Sequence, residues 1–405
     1  MVVAGLAGGA ASAQVAPSGV TPRPAGSPFA AGEELARAFA LATGVPISPL
    51  LGVSALGALR WWRAPESARA ALPWYARPWF WGTGLALVFL FAANTTLGGL
   101  VPGLKKPMDF VEEHENKVSA LLASPIVVAE VERLLSALVP EPAVAGGGLA
   151  GAGLASLSGP AGAALELLAR VGGATLVLTI YAVVFLAFHA VQVLIALSPS
   201  ALVDLGLRLS RLTLFGAAAA ASAVHPYLGA AYALVLLTGC WLVAGWSFRL
   251  TVYGSVFSWE FLTGRAGTGD PARAPLLAFA GKGLAGPPVR ALGHLDVDAG
   301  GDWSFRWRPW LVLPARRASL GGGAALAIVR GALSPRLVRT GALREAALVR
   351  FPPRFRGAEA GLAERVGARE VLDGRIVRGL RATWRWLREF VLGTDGAEAA
   401  APPAP

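Results

Sequence analysis

From Leu212 to Phe248 the chain runs for 37 residues without a formally charged side chain. As a single helix that run would be about 55 Å long, well beyond a hydrocarbon layer roughly 30 Å thick, so it must break. The break is expected at His225-Pro226, because proline cannot continue a helix ladder. The reading is then a helix arriving from Arg208 and Arg211, a tight turn, and a return span over Leu228–Phe248. Composition agrees, with 55% hydrophobic and 15% charged residues and a mean hydropathy of +0.55, against roughly 25% charged in soluble domains. An ordinary cytosolic enzyme and a disordered chain are both excluded on these grounds. Cys240 is the sole cysteine, so no intrachain disulfide forms.

Other apolar runs place further spans. Ala38–Leu59 is uncharged for 22 residues, yet Pro46 and Pro49 interrupt it, so it is expected to be kinked or partly re-entrant and packed on protein. It ends in Arg60-Trp61-Trp62-Arg63, an interfacial anchor. A second run, Trp79–Leu104, opens on three aromatic residues, and Val171–Leu197 is the best-defined span. Between them Lys105–Glu141 is acidic and amphipathic, with helical spacing over Asp109–Leu122 and again over Pro125–Val139. The glycine-rich stretch Ala143–Leu165 reads equally as re-entrant segment or linker. Residues 1–30 read as a flexible tail. Ala11-Ser12-Ala13 resembles a signal-peptidase site, but no basic region precedes it.

Charge is divided unevenly. Residues 1–263 hold 14 Lys+Arg against 13 Asp+Glu, and residues 264–405 hold 22 against 12, so +1 and +10 make up the net +11. A basic tail after membrane spans favours the cytoplasm and anionic headgroups. With five crossings, near 38–59, 79–104, 171–197, 205–224 and 228–248, the Arg60–Arg77 loop, the Arg208/Arg211 loop and the tail fall inside, and the acidic region and His225 outside. Nucleic acid is disfavoured as a partner, because no nucleic-acid fold motif accompanies the charge.

Residues 264–392 read as a basic soluble α+β domain and 393–405 as a disordered end. Leu295 and Val297, then Trp303, Phe305 and Trp307, alternate with polar residues about Asp298–Asp302, which predicts a β-hairpin. Asp373–Leu392 reads as a helix with Arg375, Arg378, Arg381, Arg385 and Arg388 on one side, suited to anionic headgroups or to packing on the domain.

Candidate chemistry is sparse. Asp109, Glu112, Glu113, His114 and Glu115 form the one dense cluster of potential metal ligands, three of them near one helix face as a hard-metal site requires. A solvated face balanced by Lys117 is the preferred reading. His189 and Gln192 lie one turn apart in the best-defined span and are read as interhelical hydrogen-bonding residues, since ion handling needs acidic partners that the spans lack. Asn94, Thr95 and Thr96 read the same way, and His225 marks the helix break. Gly146, Gly148 and Gly151 fit a dinucleotide-loop spacing, but without a preceding strand and among 50 glycines this is chance. No catalytic residue, cofactor or metal is therefore assigned.

The order of features over Phe39–Phe248 resembles the bacterial membrane proteins grouped as domain-of-unknown-function family 4126. It comprises the Pro-interrupted segment, Leu72-Pro73 before an aromatic span, Val101-Pro102 followed by Asp109, Pro125, a span with His189, and the Pro226-broken pair. The resemblance implies a polytopic membrane protein and leaves the basic C-terminal domain outside it. The expected fold is mainly α, a transmembrane helical bundle of about four or five spans with a small α+β domain. The expected function is a non-enzymatic scaffold or partner-recruiting protein of the inner membrane. A transporter-like or ion-handling protein using the Pro-broken helices is the alternative.

Overall fold

The computed structural model describes residues 28–97, 105–136, 160–198, 201–265, 267–272, 275–297, 302–321, 326–331, 334–340 and 347–373. The N-terminal triplet, Ala143–Gly159, the hairpin turn at 298–301 and the helix expected after Asp373 lie outside the described residues, as do the side chains of Asn94, Thr95 and Thr96. Asp373 itself ends a strand.

The chain is mainly helical, with a C-terminal sheet domain. The helices are α1 (Pro28–Gly44), α2 (Pro49–Arg63), α3 (Pro78–Leu97), α4 (Lys105–Ser136), α5 (Pro160–Leu197), α6 (Ala201–Val224), α7 (Pro226–Leu262) and, in the sheet domain, α8 (Glu359–Val366). Proline opens α2, α3 and α7, where a missing N–H costs nothing and the fixed φ suits the first turn. Among the described residues two helices, Arg170–Leu197 and Pro226–Leu262, are long and apolar enough to cross a membrane. The shorter Pro78–Phe91 stretch is also apolar. The break expected in the long apolar run falls at His225, whose Nδ1 accepts a hydrogen bond from the Tyr227 N–H and caps α7.

The Pro46/Pro49 segment behaves as its prolines dictate. Val45–Ile47 is a 3-10 turn between α1 and α2, fully buried. Gly32 of α1 meets Tyr227 at the start of α7, and Arg60 near the end of α2 meets Glu130 near the end of α4. Ile47 packs in mid-bundle on Val184, Phe188 and Ala244. α1 and α2 therefore descend to mid-bundle and return to the same end, as a helical hairpin.

One expected boundary is absent. Asp109–Leu122 and Pro125–Val139 were expected as separate helical stretches, but α4 runs through Pro125 without interruption. Pro125 cannot donate to the Leu121 carbonyl, and the Ser124 hydroxyl donates to that oxygen instead, at 3.0 Å. The hydroxyl replaces the lost bond.

The placement of loops also needs correction. Phe110 of α4 packs on Phe261 near the end of α7, with ring centroids 4.9 Å apart, so the acidic start of α4 lies at the sheet-domain end of the bundle. Arg208 binds Asp109, so it lies there too. The Arg60–Arg77 loop and His225 lie at the opposite end, where Tyr75 and Arg60 bind Glu130. Arg60 and Arg208 are each held by carboxylates of α4, whereas Arg63 and Arg77 at the far end are exposed.

Close contact between α5 and α7 depends on Gly254. A Cβ on Gly254 of α7 would lie 2.3 Å from Val193 Cγ1 of α5. Gly254→Ala is expected to cost about 1–2 kcal/mol through overpacking. Thermal unfolding in detergent measures it, and adding Val193→Ala is expected to recover most of the loss.

The sheet domain holds eight strands, β1 (Leu276–Ala280), β2 (Leu292–Val297), β3 (Trp303–Trp307), β4 (Arg316–Ser319), β5 (Leu326–Arg330), β6 (Arg336–Arg339), β7 (Ala347–Arg350) and β8 (Glu370–Asp373), in the order β4-β3-β2-β1-β7-β6-β5-β8. All neighbours are antiparallel except β5 and β8. The expected hairpin is β2–β3, pairing Leu295 with Phe305 and Val297 with Trp303. β1 alternates faces as a strand must. Leu276, Ala278 and Ala280 enter the domain core with α8, while Phe279 points to the helices and packs with Tyr253 and Phe257 of α7.

Candidate functional site

The largest concentration of buried polar groups forms where α4, α5 and α6 meet near the sheet-domain end. The spacing of Asp109, Glu112 and Glu113 does place them close together, but the face is not solvated. Asp109 and Glu113 are fully buried. The missing information was the cation, which arrives from α6. Arg208 Nη2 donates to Asp109 Oδ1 at 2.8 Å, and its Nη1 lies 2.7 Å from Glu112 Oε2. Lys117 Nζ donates to Glu113 Oε1 at 2.7 Å, one turn along the same helix.

His189 and Gln192 of α5 face this cluster, as their one-turn spacing requires, and both are fully buried. Gln192 Oε1 accepts from Arg211 Nη1, whose Nη2 donates to the Ile47 carbonyl at 3.2 Å in the buried turn. A broken helix exposes carbonyls that need donors, and Arg211 supplies one. Ion handling was set aside because the spans contain no carboxylate. One comes from outside them: Glu113 Oε1 lies 3.9 Å from His189 Nε2. His189 stacks on Phe185 at 5.2 Å between ring centroids, and neither ring nitrogen has a hydrogen-bond partner among the described residues. The interhelical bond expected for His189 is therefore not made, although Gln192 makes its own.

The remaining residues stand apart. His114 Nδ1 lies 3.0 Å from the Phe110 carbonyl and its ring approaches Trp259 at 6.0 Å. Glu115 accepts from Ser119. His225 is exposed at the far end and serves its own helix cap. Among the described residues no group of three or more His, Cys, Asp or Glu side chains could hold a metal ion. The carboxylates are already committed to arginine and lysine.

Sequence reading missed Arg208 and Arg211 as members of the site. Their spacing of three on a helix already puts both on one face. It also missed Glu130, which accepts from Arg60 and Tyr75 and from Arg133 Nε at 3.2 Å. Burial and the Glu130 carboxylate push the Tyr75 phenol above its usual range.

A second feature joins the bundle to the sheet domain. The last fourteen residues of α7 extend beyond Phe248, and Glu260, almost fully buried, grips Arg354. Its Oε1 accepts from Arg354 Nε at 2.6 Å, and its Oε2 accepts from the Arg354 backbone N–H at 2.8 Å. Arg350 Nη1 donates to the Tyr253 hydroxyl at 2.9 Å, and Arg249 Nε donates to the Val289 carbonyl at 3.1 Å. Beside this junction the loop after β3 carries Trp310, Leu311, Val312 and Leu313, all exposed, with Val312 at 79%. Trp310 and Leu311 adopt positive φ, and Trp310 packs on Phe248 with ring centroids 4.8 Å apart. Comparison of the chain with protein-family models, with curated proteins and with solved structures finds no match in any of the three.

Proposed function

We propose that the protein is a multi-pass membrane scaffold that fixes a basic sheet domain against the cytoplasmic surface of a bacterial inner membrane. The carrying observation is the continuity of α7. At 37 residues it is about 55 Å long, enough to cross a bilayer and still project into the domain, where Glu260 and the Tyr253–Phe257–Phe279 cluster hold it. A domain held this way takes its orientation from the span instead of from a linker. Val235, Trp241 and Leu242 on α7 are exposed at 73%, 64% and 79%, an outward apolar surface that suits lipid and not water. The Trp310–Leu313 loop sits level with Phe248, where the apolar run ends, and Arg308, Arg316 and Arg317 flank it. That arrangement suits an interface of acyl chains and anionic headgroups. We extend the same proposal to Arg375, Arg378, Arg381, Arg385 and Arg388, which lie outside the described residues. In this reading α3, α4, α5, α6 and α7 each run from one side to the other, and α1–α2 re-enter without crossing. Partners of the basic domain are the function, and the bundle is its mount.

The test uses single cysteines in a Cys240→Ala background. Ser67→Cys is expected to react with an impermeant maleimide on intact cells, and Glu364→Cys only after lysis, while carbonate leaves the protein in the membrane. Labelling of both positions from one side sinks the reading.

Ion handling is the second reading, favoured by the Glu113–His189 pair beside the broken helix. A proton or sodium flux in reconstituted vesicles that Glu113→Gln abolishes moves it to first place; the scaffold reading expects none.

A further inference from the structure

α1 and α2 diverge from their buried turn toward the end of the bundle away from the sheet domain, and the space between them is a groove of about 720 Å³. That volume lies within the range of sites for small molecules and cofactors. The arms meet closely at the apex, where a Cβ on Gly52 would lie 3.1 Å from Val45 Cα. Leu41, Leu56, Leu59, Leu134 and Phe215 make the walls apolar. α2 grades along its length: Gly52, Ala55, Leu56 and Leu59 line the deep part, and Arg60 and Arg63 follow on the same face. From Gly52 to Arg63 the helix rises about 16 Å. Arg133 of α4 joins them at the mouth, and among the described residues Glu130 is the carboxylate lining the groove. Arg37 also reaches it, but that cation is matched by Glu33 and Glu34 on its own helix. Among the described residues Arg60, Arg63 and Arg133 gather around Glu130 at the mouth, while the deep part is lined by no charged side chain.

We propose that this groove binds an anionic membrane phospholipid, with one acyl chain between α1 and α2 and the headgroup phosphate on Arg60, Arg63 and Arg133. The charge gradient decides the class of ligand. A neutral chain gains little by leaving a bilayer for an apolar groove, because lipid tails are equally apolar. Selectivity must then come from the head, where guanidinium groups favour a headgroup of net negative charge over a zwitterion. Glu130, held by Tyr75, fixes Arg60 and Arg133 in place without cancelling the mouth. The inference rests on the membrane reading for its ligand's source, but its test does not depend on sidedness.

The experiment is native mass spectrometry of the full chain in non-ionic detergent, with phosphatidylglycerol and phosphatidylcholine of identical chains added in turn. Occupancy by phosphatidylglycerol is expected to exceed that by phosphatidylcholine about fivefold, the scale of one arginine near an anionic lipid. Arg63→Glu, at an exposed position, is expected to erase the preference, and Arg63→Gln to reduce it by half or more. Ala55→Trp, which fills the deep groove, is expected to lose both lipids while the protein elutes and melts as before. Inorganic phosphate at millimolar concentration is expected not to displace the lipid. Equal occupancy by the two lipids, displacement by phosphate alone, or no adduct at all overturns the proposal. Carbonate extraction and cysteine labelling report on the membrane reading separately, so either reading can fail while the other stands.

Discussion

Replacing Arg208 by alanine is expected to destabilise the helical bundle by about 3–5 kcal/mol, the range for breaking a buried ion pair by removing one partner. The size follows from what remains. Asp109 is fully buried, and Glu112 lies 2.7 Å from the same guanidinium, so one truncation strips the Arg208 cation from two carboxylates. Asp109 cannot reach water without parting α4 from α6. The expected result is an early thermal transition in detergent and increased proteolysis between these helices. The control is neutralisation of all three groups, Asp109→Asn with Glu112→Gln and Arg208→Met. Removing the charges together removes the desolvation penalty together, and the triple variant is expected to recover most of the stability. A triple variant as unstable as Arg208→Ala would show that packing, and not charge, holds α4 to α6.

Much of the helical frame was legible because its signals are local. A proline inside an apolar run breaks a helix wherever the chain goes, so the turns at Pro46 and at His225-Pro226 could be placed from the sequence. The β2–β3 hairpin was equally legible, since alternation at Leu295, Val297, Trp303, Phe305 and Trp307 has a period that only a strand satisfies. The span count was less so. Among the described residues two helices pass as candidates by length and composition, and α6 carries Arg208 and Arg211, whose partners lie on other elements. The site was half legible for the same reason. Spacing brought Asp109, Glu112 and Glu113 together and set His189 beside Gln192, but nothing local says that Arg208 lies 99 residues away from Asp109 in sequence and 2.8 Å away in space. Burial of a carboxylate depends on a distant cation, and period and hydropathy register only near neighbours. The smooth passage of α4 through Pro125 shows the opposite limit, in which one hydroxyl at Ser124 cancels a strong local signal.

Arg354→Ala is expected to loosen the sheet domain from α7 at a cost of about 2–3 kcal/mol, below the range for a wholly buried pair because the Arg354 side chain is 34% exposed. The two halves of the pair are not equivalent. Truncating Arg354 leaves the Glu260 carboxylate buried, with the backbone N–H of residue 354 as its remaining partner in this contact. Truncating Glu260 instead leaves a guanidinium that can turn to water. Glu260→Ala is therefore expected to cost less than Arg354→Ala, although each deletes the same contact. Phe279 provides the independent hold, since its ring lies 4.9 Å from Tyr253 and 6.1 Å from Phe257. With that cluster intact, the domain of either variant is expected to keep its own fold, and the change is expected at the junction. Hydrogen exchange over Gly254–Leu262 and β1 is the measurement, with faster exchange in Arg354→Ala than in Glu260→Ala and little change in β5 and β6. Equal acceleration across all strands would mean that the clasp stabilises the domain itself. Confinement to the junction means that it sets where the domain sits relative to the span, which is what a mount must do.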